Sequence, residues 1–432
     1  MASNLLSADI PSITWDFPTM MVGMSKLLAH YPALSFPLYR RYWLASLASV
    51  GGWQISAIAM GWLVYELSGS TIDLGILGAA TAIPAILCTI AGGVIADRYD
   101  KRRILIVTTA LNTVLLVLLA LLVFADTITV WQVWIIAAAI SVVSGVDWPT
   151  RQTFFPHLID RSALLSAVAL NSVLWQVTRM VLPALGGVLI ALYGPTVVFT
   201  LAALGYFVML IVILGMKLKL PGQVSESAWH QTVEGIRYIF GHPFFRDLIL
   251  LSYATMLFLS SYMQQMPAFA KLLNAGPEGF GILMSATGLG SILGTVIAGA
   301  VKAGNRYGSV MLGGALSGVV FLAGFAVATT MPNYALALLF SLLAATATSI
   351  FLILSTTALQ AQVPDALRGR VMGIHGITYS LMPMGALVTG VLAETYTSPG
   401  ALLISLVIYL GILGIMAFKG PSLRKLAAPV EG

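Results

Sequence analysis

The sequence predicts an all-α membrane protein with 12 transmembrane helices, arranged as two six-helix parallel repeats with both termini in the cytoplasm. Three observations support this prediction: the composition, the alternation of long apolar runs with short polar turns, and an internal repeat. Of the 432 residues, 59% are hydrophobic and 9% are charged, whereas soluble domains have roughly 45–50% and about 25%. Apolar runs in lipid must be helical, because every backbone donor and acceptor has to be paired within the segment.

Twelve apolar runs can be placed, each long enough for a helix of about 20 residues to cross a bilayer. The first six are expected at Tyr42–Tyr65, Ile72–Ala96, Ile104–Phe124, Val130–Gln152, Leu164–Tyr193 and Thr196–Met216. The second six are expected at Leu248–Lys271, Phe280–Val301, Ser309–Thr330, Tyr334–Gln360, Val371–Thr395 and Gly400–Phe418. The map therefore predicts a tail over 1–36, a bundle over 37–216, a connector over 217–245, a second bundle over 246–418 and a tail over 419–432.

The basic residues give this map an orientation. With the amino terminus inside, 20 of the 22 Lys and Arg residues fall on the cytoplasmic side, while Lys271 falls outside and Arg179 lies within a span. An excess of Lys and Arg in cytoplasmic loops is typical of membrane proteins, so both termini are expected in the cytoplasm. The same bias accounts for the formal net charge of +6, and no nucleic-acid partner is expected.

An internal repeat divides the chain into two halves. The tetrapeptide Pro-Leu-Tyr-Arg at 37–40 matches Pro-Phe-Phe-Arg at 243–246, which is 206 residues later. At the same offset, nine of the nineteen positions from Gly75 to Gly93 are identical to those from Gly281 to Gly299. Since each half has six spans, both halves enter the membrane from the same side and form parallel repeats. Two such halves can rock about a central cavity, which is the geometry of alternating access.

The turn between the second and third spans carries a recognisable motif. Its pattern is Gly93-x-x-x-Asp97-Arg98-x-x-Lys101-Arg102-Arg103, which resembles the signature loop of the major facilitator superfamily. Three further stretches, starting at Gly61, Asp147 and Val363, resemble the transmembrane secretion effector branch, whose members are similar to the enterobactin exporter. The resemblance covers about residues 36–418.

The resemblance implies a function and an inner gate. It implies a proton-coupled exporter of a small amphipathic organic compound, drug-like or siderophore-like, in a bacterial inner membrane. It also implies that Asp97 latches onto the start of span eleven near Val371, and that Arg102 pairs with Asp147. The gating set implied in this way is Gly93, Asp97, Arg98, Arg102 and Asp147. The simpler alternative is that these charges only set the topology.

Asp100 departs from the family pattern. It replaces the usual glycine of the loop and adds a negative charge that can compete for the neighbouring arginines. The second half has Ala303 at the position that matches Asp97, so only the first half is expected to form this latch.

Span five carries the candidate substrate site. Asn171, Trp175, Gln176 and Arg179 recur at three- and four-residue steps, which puts them on one side of the helix. An arginine at mid-bilayer costs roughly 2.5–3.5 kcal/mol on insertion scales, so Arg179 should face a cavity or a partner. Either it binds an anionic or hydrogen-bonding part of the substrate, or it ties helices together through their carbonyl groups. The candidate binding and coupling set is Arg179, Asn171, Trp175, Gln176 and Gln54.

Further along span five, residues 182–187 read Leu-Pro-Ala-Leu-Gly-Gly. They resemble the Gly-Pro-x-x-Gly antiporter motif of exporters, with Leu182 in place of the first glycine. The candidate residues of this motif are Pro183, Gly186 and Gly187.

Proton coupling is implied by the resemblance and has no independent support in the residues, because no acidic residue is placed at mid-depth. His375 is the one histidine placed to titrate in a span, although a histidine so near the interface is more typical of a helix-end hydrogen bond. Gln264, Gln265, Tyr262 and Tyr379 either line the cavity or bond between helices. Trp53, Trp62, Trp131 and Trp134 are interpreted as packing residues or interface anchors.

Other chemistries find no motif in the sequence. No Cys/His cluster has metal-ligand spacing, no nucleophile–base pair can be argued, and no phosphate-binding glycine loop occurs. We therefore expect neither an enzyme nor a cofactor or metal, and the partners are a small-molecule substrate, a coupling proton and the lipid bilayer. Two alternatives stay open: a transporter of lysophospholipids or other lipids, and a non-transporting, transporter-like subunit or assembly factor of a membrane complex.

Overall fold

A computed structural model describes residues 31–216, 228–301 and 307–419. Within these ranges it gives the backbone but not the side chains of residues 89–98, 228–234, 365–366 and 417–419. The expected tails therefore lie mostly outside the described residues, as does the first part of the connector. Every regular element in the described ranges is helical.

Six helices make up the first half, and their ends carry ordinary helix signals. Pro37 and Pro195 occupy the first turns of two helices, where a missing N–H costs nothing. Asp100 caps another by accepting from the backbone N–H of Arg102 at 2.9 Å, and Thr129 with Gln132 forms a capping box. These helices are α1 Pro37–Ser68, α2 Thr71–Arg98, α3 Lys101–Phe124, α4 Val130–Phe154, α5 Leu164–Tyr193 and α6 Pro195–Gly215.

The second half is less regular. The connector contains α7 Ala228–Gly241, whose Gly235 packs against Arg370 and Ile374. Span seven consists of α8 Pro243–Ala254, a π-helical turn Thr255–Leu259, a 3₁₀ turn Ser261–Gln265 and α9 Met266–Leu272. The remaining elements are α10 Gly276–Gly299, α11 Tyr307–Thr330, α12 Tyr334–Gln362, α13 Asp365–Gly376, a 3₁₀ turn Ile377–Ser380 and α14 Leu381–Lys419.

Eleven segments of the described chain are long and apolar enough to cross a membrane, and the last of them, Leu367–Met416, has 50 residues. Its helix is interrupted at Thr397, which has φ 66° and ψ 160°. Gly385 packs against the carbonyl oxygen of Leu257, and the Tyr409 hydroxyl lies 2.9 Å from that of Thr255. Residues 385 and 409 would be about 36 Å apart in a straight helix, so the chain must reverse at Thr397. The described residues therefore contain twelve candidate spans.

Small residues allow the helices of each half to approach closely, as is common in membrane proteins. On α1, a Cβ atom at Gly52 would lie 2.8 Å from the Ala202 carbonyl oxygen of α6. Gly205 of α6 packs in turn against the backbone of Ala48. In the second half, a Cβ atom at Gly290 of α10 would lie 3.0 Å from Ala345 of α12. Below, α1–α6 are called the first bundle and α8–α14 the second bundle, and the site is described where helices of the two meet.

Candidate functional site

The two exposed sides of α5 differ sharply in chemistry. One side carries only apolar side chains and has the character of a lipid-facing surface: Val173, Val177, Val181, Leu185, Val188 and Leu192. The other side carries Ser172, Gln176, Arg179, Pro183 and Gly187 at three- and four-residue steps, so these residues share a face. Since the two stripes lie on opposite sides of the helix, Arg179 does not face the lipid.

The polar stripe of α5 runs directly into the second bundle. A Cβ atom at Gly187 would lie 2.9 Å from the Cα of Gly281 on α10, and one at Gly288 would lie 2.6 Å from the Arg179 carbonyl oxygen. The Ser285 hydroxyl also accepts from the Ala184 backbone N–H at 2.8 Å. The antiporter-like motif therefore lies at a close contact between the two bundles.

The other two motif residues have distinct neighbours. The Pro183 carbonyl oxygen packs against Gly281 of the second bundle, whereas Gly186 faces Ile55 of α1, 3.5 Å from where its Cβ atom would be. One side of the motif therefore contacts α10, and the other side packs within its own bundle.

A second pair of helices, α2 and α14, meets in the same way. A Cβ atom at Gly75 would lie 2.8 Å from the Ala386 carbonyl oxygen, and one at Gly390 would lie 2.5 Å from the Thr71 carbonyl oxygen. Gln265 of span seven reinforces this contact, because its Nε2 donates to the carbonyl oxygens of Thr71 at 3.2 Å and Ala386 at 3.1 Å. The interhelical reading of Gln265 is therefore the one that the structure favours.

The two helix pairs are related by constant sequence offsets. Gly75 meets Ala386, and Gly281 meets Pro183. Gly281 is 206 residues after Gly75, and Pro183 is 203 residues before Ala386. In the same way, Gly390 meets Thr71, and Gly187 meets Pro277. Gly187 is 203 residues before Gly390, and Pro277 is 206 residues after Thr71. The α2–α14 and α5–α10 contacts are thus equivalent in geometry and register.

Three more contacts between the bundles lie at the same end of the molecule. The Trp62 ring stacks on Phe280 with centroids 5.9 Å apart, and the Lys271 ammonium lies 5.4 Å from the centre of the Tyr65 ring. Gly61 faces Pro267 at 3.8 Å. We call this the closed end: it holds the α1–α2 turn and the α9–α10 turn.

Of the α5–α10 contacts named here, that of Arg179 with Gly288 lies furthest from the closed end, almost midway along α5. Its side chain is exposed, and no residue of the described chain forms a hydrogen bond or ion pair with its guanidinium. The phenols of Tyr262 and Tyr379, both in the second bundle, lie near enough to influence it. The guanidinium therefore points into the space between the bundles.

Three tryptophans gather one turn along α5 from Arg179. The Trp175 ring lies 5.0 Å from Trp148 of α4, edge to face, and 5.8 Å from Trp53 of α1. Trp53 and Trp148 are 38% and 43% exposed. The sequence interpretation of Trp53 as a packing or anchoring residue missed this cluster, although its position at the middle of α1, far from either interface, was a usable signal.

The other predicted binding residues lie near this cluster. Gln176 is half-buried on the polar stripe, and Gln54 is half-buried on α1, seven residues before Gly61 and on the same side of that helix. Asn171 is half-buried two turns of α5 before Arg179. The structure thus brings Arg179, Trp175 and Gln176 together, while Asn171 lies further along the helix.

Arg102 and Asp147, predicted to pair in the inner latch, have other partners in this structure. The Arg102 Nη2 donates to the Leu214 carbonyl oxygen at 2.8 Å and its Nε to that of Ile213 at 3.2 Å, so it ties α3 to the end of α6. Asp147 is buried, pairs instead with Arg151 one turn along α4, and accepts from the Thr108 hydroxyl at 2.6 Å. An i,i+4 partner on the same helix needs no loop to move, which explains why Arg151 is preferred.

Only some of the remaining signature-loop residues have side chains that the structure describes. The side chains of Gly93, Asp97 and Arg98 lie outside the described residues. Asp100 lies 3.9 Å from the exposed Arg103 and also caps α3, so it engages an arginine of the loop as its charge suggested. His375 is buried and its Nε2 lies 3.1 Å from the Thr356 hydroxyl, consistent with a hydrogen-bonding role between spans.

Among the residues that the structure describes, no group of three or more His, Cys, Asp or Glu is arranged to hold a metal ion.

The fold has close counterparts among solved structures. It matches the nucleoside transporter NupG (D323A mutant) with a TM-score of 0.70 at 14% identity, covering 90% of this chain and 100% of that chain. It matches a bacterial homologue of the human lysosomal transporter Spinster, in an inward-facing and unoccupied conformation, with a TM-score of 0.68 at 15% identity, covering 90% and 96%.

Curated relatives match over nearly the whole chain. The staphyloferrin A transporter of Staphylococcus aureus is 28% identical over 82% of this chain and 90% of its own. The enterobactin exporter EntS of Shigella boydii is 24% identical over 92% and 96%, and the multidrug efflux pump Tap of Mycolicibacterium fortuitum is 24% identical over 88% and 95%. Residues 29–428 match the family model described as transmembrane secretion effector. The chain therefore belongs to the transmembrane secretion effector family of the major facilitator superfamily.

Proposed function

We propose that this protein is a secondary active exporter that moves a small amphipathic organic compound out of the bacterial cytoplasm by alternating access, in exchange for protons. In this proposal the bilayer is the bacterial inner membrane and both termini are cytoplasmic. The single observation that carries it is Arg179: a charged side chain at mid-span, without a hydrogen-bond or ion-pair partner among the described residues, facing the opposite bundle.

Energetics favour a binding role for Arg179. A charge at mid-bilayer costs roughly 2.5–3.5 kcal/mol on insertion scales, and an arginine that only tied helices together would bond to carbonyl groups. The described carbonyl groups leave the guanidinium without such a bond, even though its own backbone oxygen contacts Gly288. An anionic or hydrogen-bonding group of the substrate would supply the missing partner, with Trp175, Gln176, Gln54 and Asn171 around it.

Alternating access is supported by the equivalence of the α2–α14 and α5–α10 contacts. Their constant offsets are those expected of two parallel repeats related by a two-fold axis along the membrane normal. Both contacts are made by glycine against backbone, so they provide a smooth surface on which the bundles can tilt. The contacts named above lie between mid-span and the closed end, and in this proposal the Arg179 space opens in the other direction.

The charge distribution indicates which side of the membrane the closed end faces. Arg40, Arg41, Arg151, Arg161 and Arg246 lie at the opposite end of the spans from Lys271, and cytoplasmic ends are the ones enriched in such residues. In this proposal the closed end therefore faces outward, and the conformation is inward-facing. The signature-loop residues Gly93, Asp97 and Arg98 would form the inner latch when the opposite end closes, with Arg102 and Asp147 bracing the first bundle on that side.

The relatives support efflux as the direction and small molecules as the cargo. Their names specify a siderophore or drugs as what they transport: staphyloferrin A, enterobactin and multidrug substrates. The matched chains run over nine-tenths or more of each relative's length, so the proposal concerns a whole transporter. A drug-like or siderophore-like compound fits an open space that combines one cation with aromatic walls.

Transport by purified protein in proteoliposomes tests the proposal. Vesicles containing a pH-sensitive dye would receive enterobactin or a fluorescent drug, and the wild-type protein should move protons in response to at least one of them. Arg179→Gln should abolish the signal while inserting normally, and Arg161→Gln, at an exposed residue away from the site, should not. Unaltered transport by Arg179→Gln would refute the site, and movement of a labelled lysophospholipid instead would replace the cargo by a lipid.

A further inference from the structure

The tryptophan cluster, comprising Trp53, Trp148 and Trp175, has no structural task that accounts for its position. The three residues come from α1, α4 and α5, and their rings meet edge to face at 5.0 and 5.8 Å around Trp175. Trp53 and Trp148 are still more than a third exposed. A cluster made only for packing would be buried, whereas this one keeps ring surface open.

The cluster opens towards the space between the bundles. Trp175 is one helical turn from Arg179, which belongs to the polar stripe of α5. It lies on a different side of the helix from the apolar stripe that starts at Val173. The Trp53 ring meets Trp175, and Trp53 lies two helical turns before Gly61, the residue that meets Pro267 of the second bundle. The open ring surface is therefore turned towards the ligand space.

Interface anchoring does not account for the cluster either. Tryptophans that anchor a helix lie at the membrane–water boundary. Trp53 is at the middle of the 32-residue α1 and Trp175 is near the middle of α5, while Trp148 lies six residues before the end of α4. Membrane-anchoring tryptophans also have no reason to come together from three helices. Their convergence beside the unpaired Arg179 points to a ligand.

The indole N–H groups provide an independent observation. Trp43 donates to the Leu170 carbonyl oxygen at 3.3 Å, and Trp134 donates to that of Asp73 at 3.2 Å. Within the described residues, no acceptor meets the N–H groups of Trp53, Trp148 or Trp175. Because Trp53 and Trp148 are open to solvent, these donors are free to bond to water or to oxygen atoms of a bound molecule.

We propose that the tryptophan cluster is an aromatic subsite, and that the cargo is an organic anion that carries an aryl group. The aryl group packs against the three indoles, while its anionic substituent reaches Arg179 about 6 Å further along α5. A flexible acyl chain would fill the same volume without using the ring faces or the three N–H donors. This inference rests on the proposed function, because it assumes that the cargo binds in the space beside Arg179.

Binding of matched carboxylates tests the subsite without requiring transport. The probes are 2-naphthoate, decanoate and 2-naphthalenemethanol, which share a similar size but differ in ring and charge. The full chain in nanodiscs would be titrated with each, and protein-free nanodiscs would correct for partitioning into lipid. We expect 2-naphthoate to bind about tenfold more tightly than either of the other two probes, since each lacks one of the two contacts.

Variants separate the two contacts. Trp175→Leu should weaken 2-naphthoate by about tenfold and leave decanoate unchanged, while Trp175→Phe should keep most of the naphthoate affinity because it retains a ring. Arg179→Gln should weaken both carboxylates. Trp131→Leu, the same substitution at an exposed tryptophan at the start of α4, should change neither.

Equal binding of 2-naphthoate and decanoate by the wild type would overturn the subsite, as would equal losses of both in Trp175→Leu. Failure of the subsite can be distinguished from failure of the proposed function. If 2-naphthoate binds as expected but the protein moves no compound in proteoliposomes, the exporter proposal fails and the aromatic subsite stands. If transport occurs and ring selectivity is absent, only the subsite fails.

Discussion

Gly187 of α5 and Gly281 of α10 touch across the two bundles, each with the other's Cα about 3 Å from where its own Cβ atom would be. Gly75 and Gly390 take equivalent positions in the α2–α14 contact. Backbone contacts of this kind leave no room for a methyl group at the closed end, and they make the closed state sensitive to single substitutions.

Gly281→Ala should loosen the closed end. The added methyl group would overlap the Pro183 carbonyl oxygen and the Cα of Gly187, and backbone cannot move aside as a flexible side chain can. In a protein with Cys88 replaced by Ser, spin labels at Ser68 and Thr395 should show a longer or broader distance across the closed end. Gly313→Ala, where the new methyl group meets open space, should leave the distance unchanged. An unaltered distance in Gly281→Ala would contradict this prediction.

Gln265→Leu should also weaken the closed end, by a different route. The substitution removes the two hydrogen bonds from Nε2 to the carbonyl oxygens of Thr71 and Ala386, each worth about 0.5–1.5 kcal/mol net. The buried Oε1 of Gln265 has no partner among the described residues, so its removal offsets part of that loss. The same spin-label distance should shift towards the open population, whereas Gln264→Leu at the neighbouring half-buried residue should have a smaller effect. Equal shifts in the two variants would show that Gln265 does not pin the bundles.

Asp147→Asn should destabilise the first bundle. Asp147 and Arg151 form a buried pair, and removing one partner of such a pair costs about 3–5 kcal/mol, because the other charge is left uncompensated. We expect a marked fall in the apparent unfolding temperature of the purified protein, and partial recovery in the double variant Asp147→Leu with Arg151→Met. Arg103→Gln, which removes an 83% exposed partner of Asp100, should change stability by less than about 1 kcal/mol. A small effect of Asp147→Asn would mean that water already screens the pair.

The sequence was sufficient to predict the spans, because apolar length and polar turns determine where helices can lie in lipid. It could not predict the break of span seven at Thr255–Gln265 or the 3₁₀ turn at Ile377–Ser380. Span seven and α14 pack together there, with Gly385 against the Leu257 carbonyl group, and no local signal in the sequence shows that contact.

Which residues share a side of one helix was easier to predict than which helices would meet. Arg179, Trp175 and Gln176 follow from the spacing on α5, whereas the joining of Trp175 to Trp53 and Trp148 depends on how three helices pack. The partner of Asp147 in this structure was hard to predict for the same reason: the acid at the end of α4 has a near partner one turn away, in Arg151. Spacing within a helix is written in the sequence, but competition between partners on different helices is not.

The central claim is that the polar stripe of α5 faces a water-filled space open to the cytoplasm. Ser172 lies on that stripe, two turns before Arg179, and its neighbour Val173 lies on the apolar stripe. In a protein with Cys88 replaced by Ser, Ser172→Cys and Val173→Cys would be exposed to a charged, membrane-impermeant thiol reagent from each side of sealed vesicles. We expect Ser172→Cys to react from the cytoplasmic side and Val173→Cys to react from neither side. Reaction of Ser172→Cys only from the outer side, or equal reaction of both residues, would contradict the account.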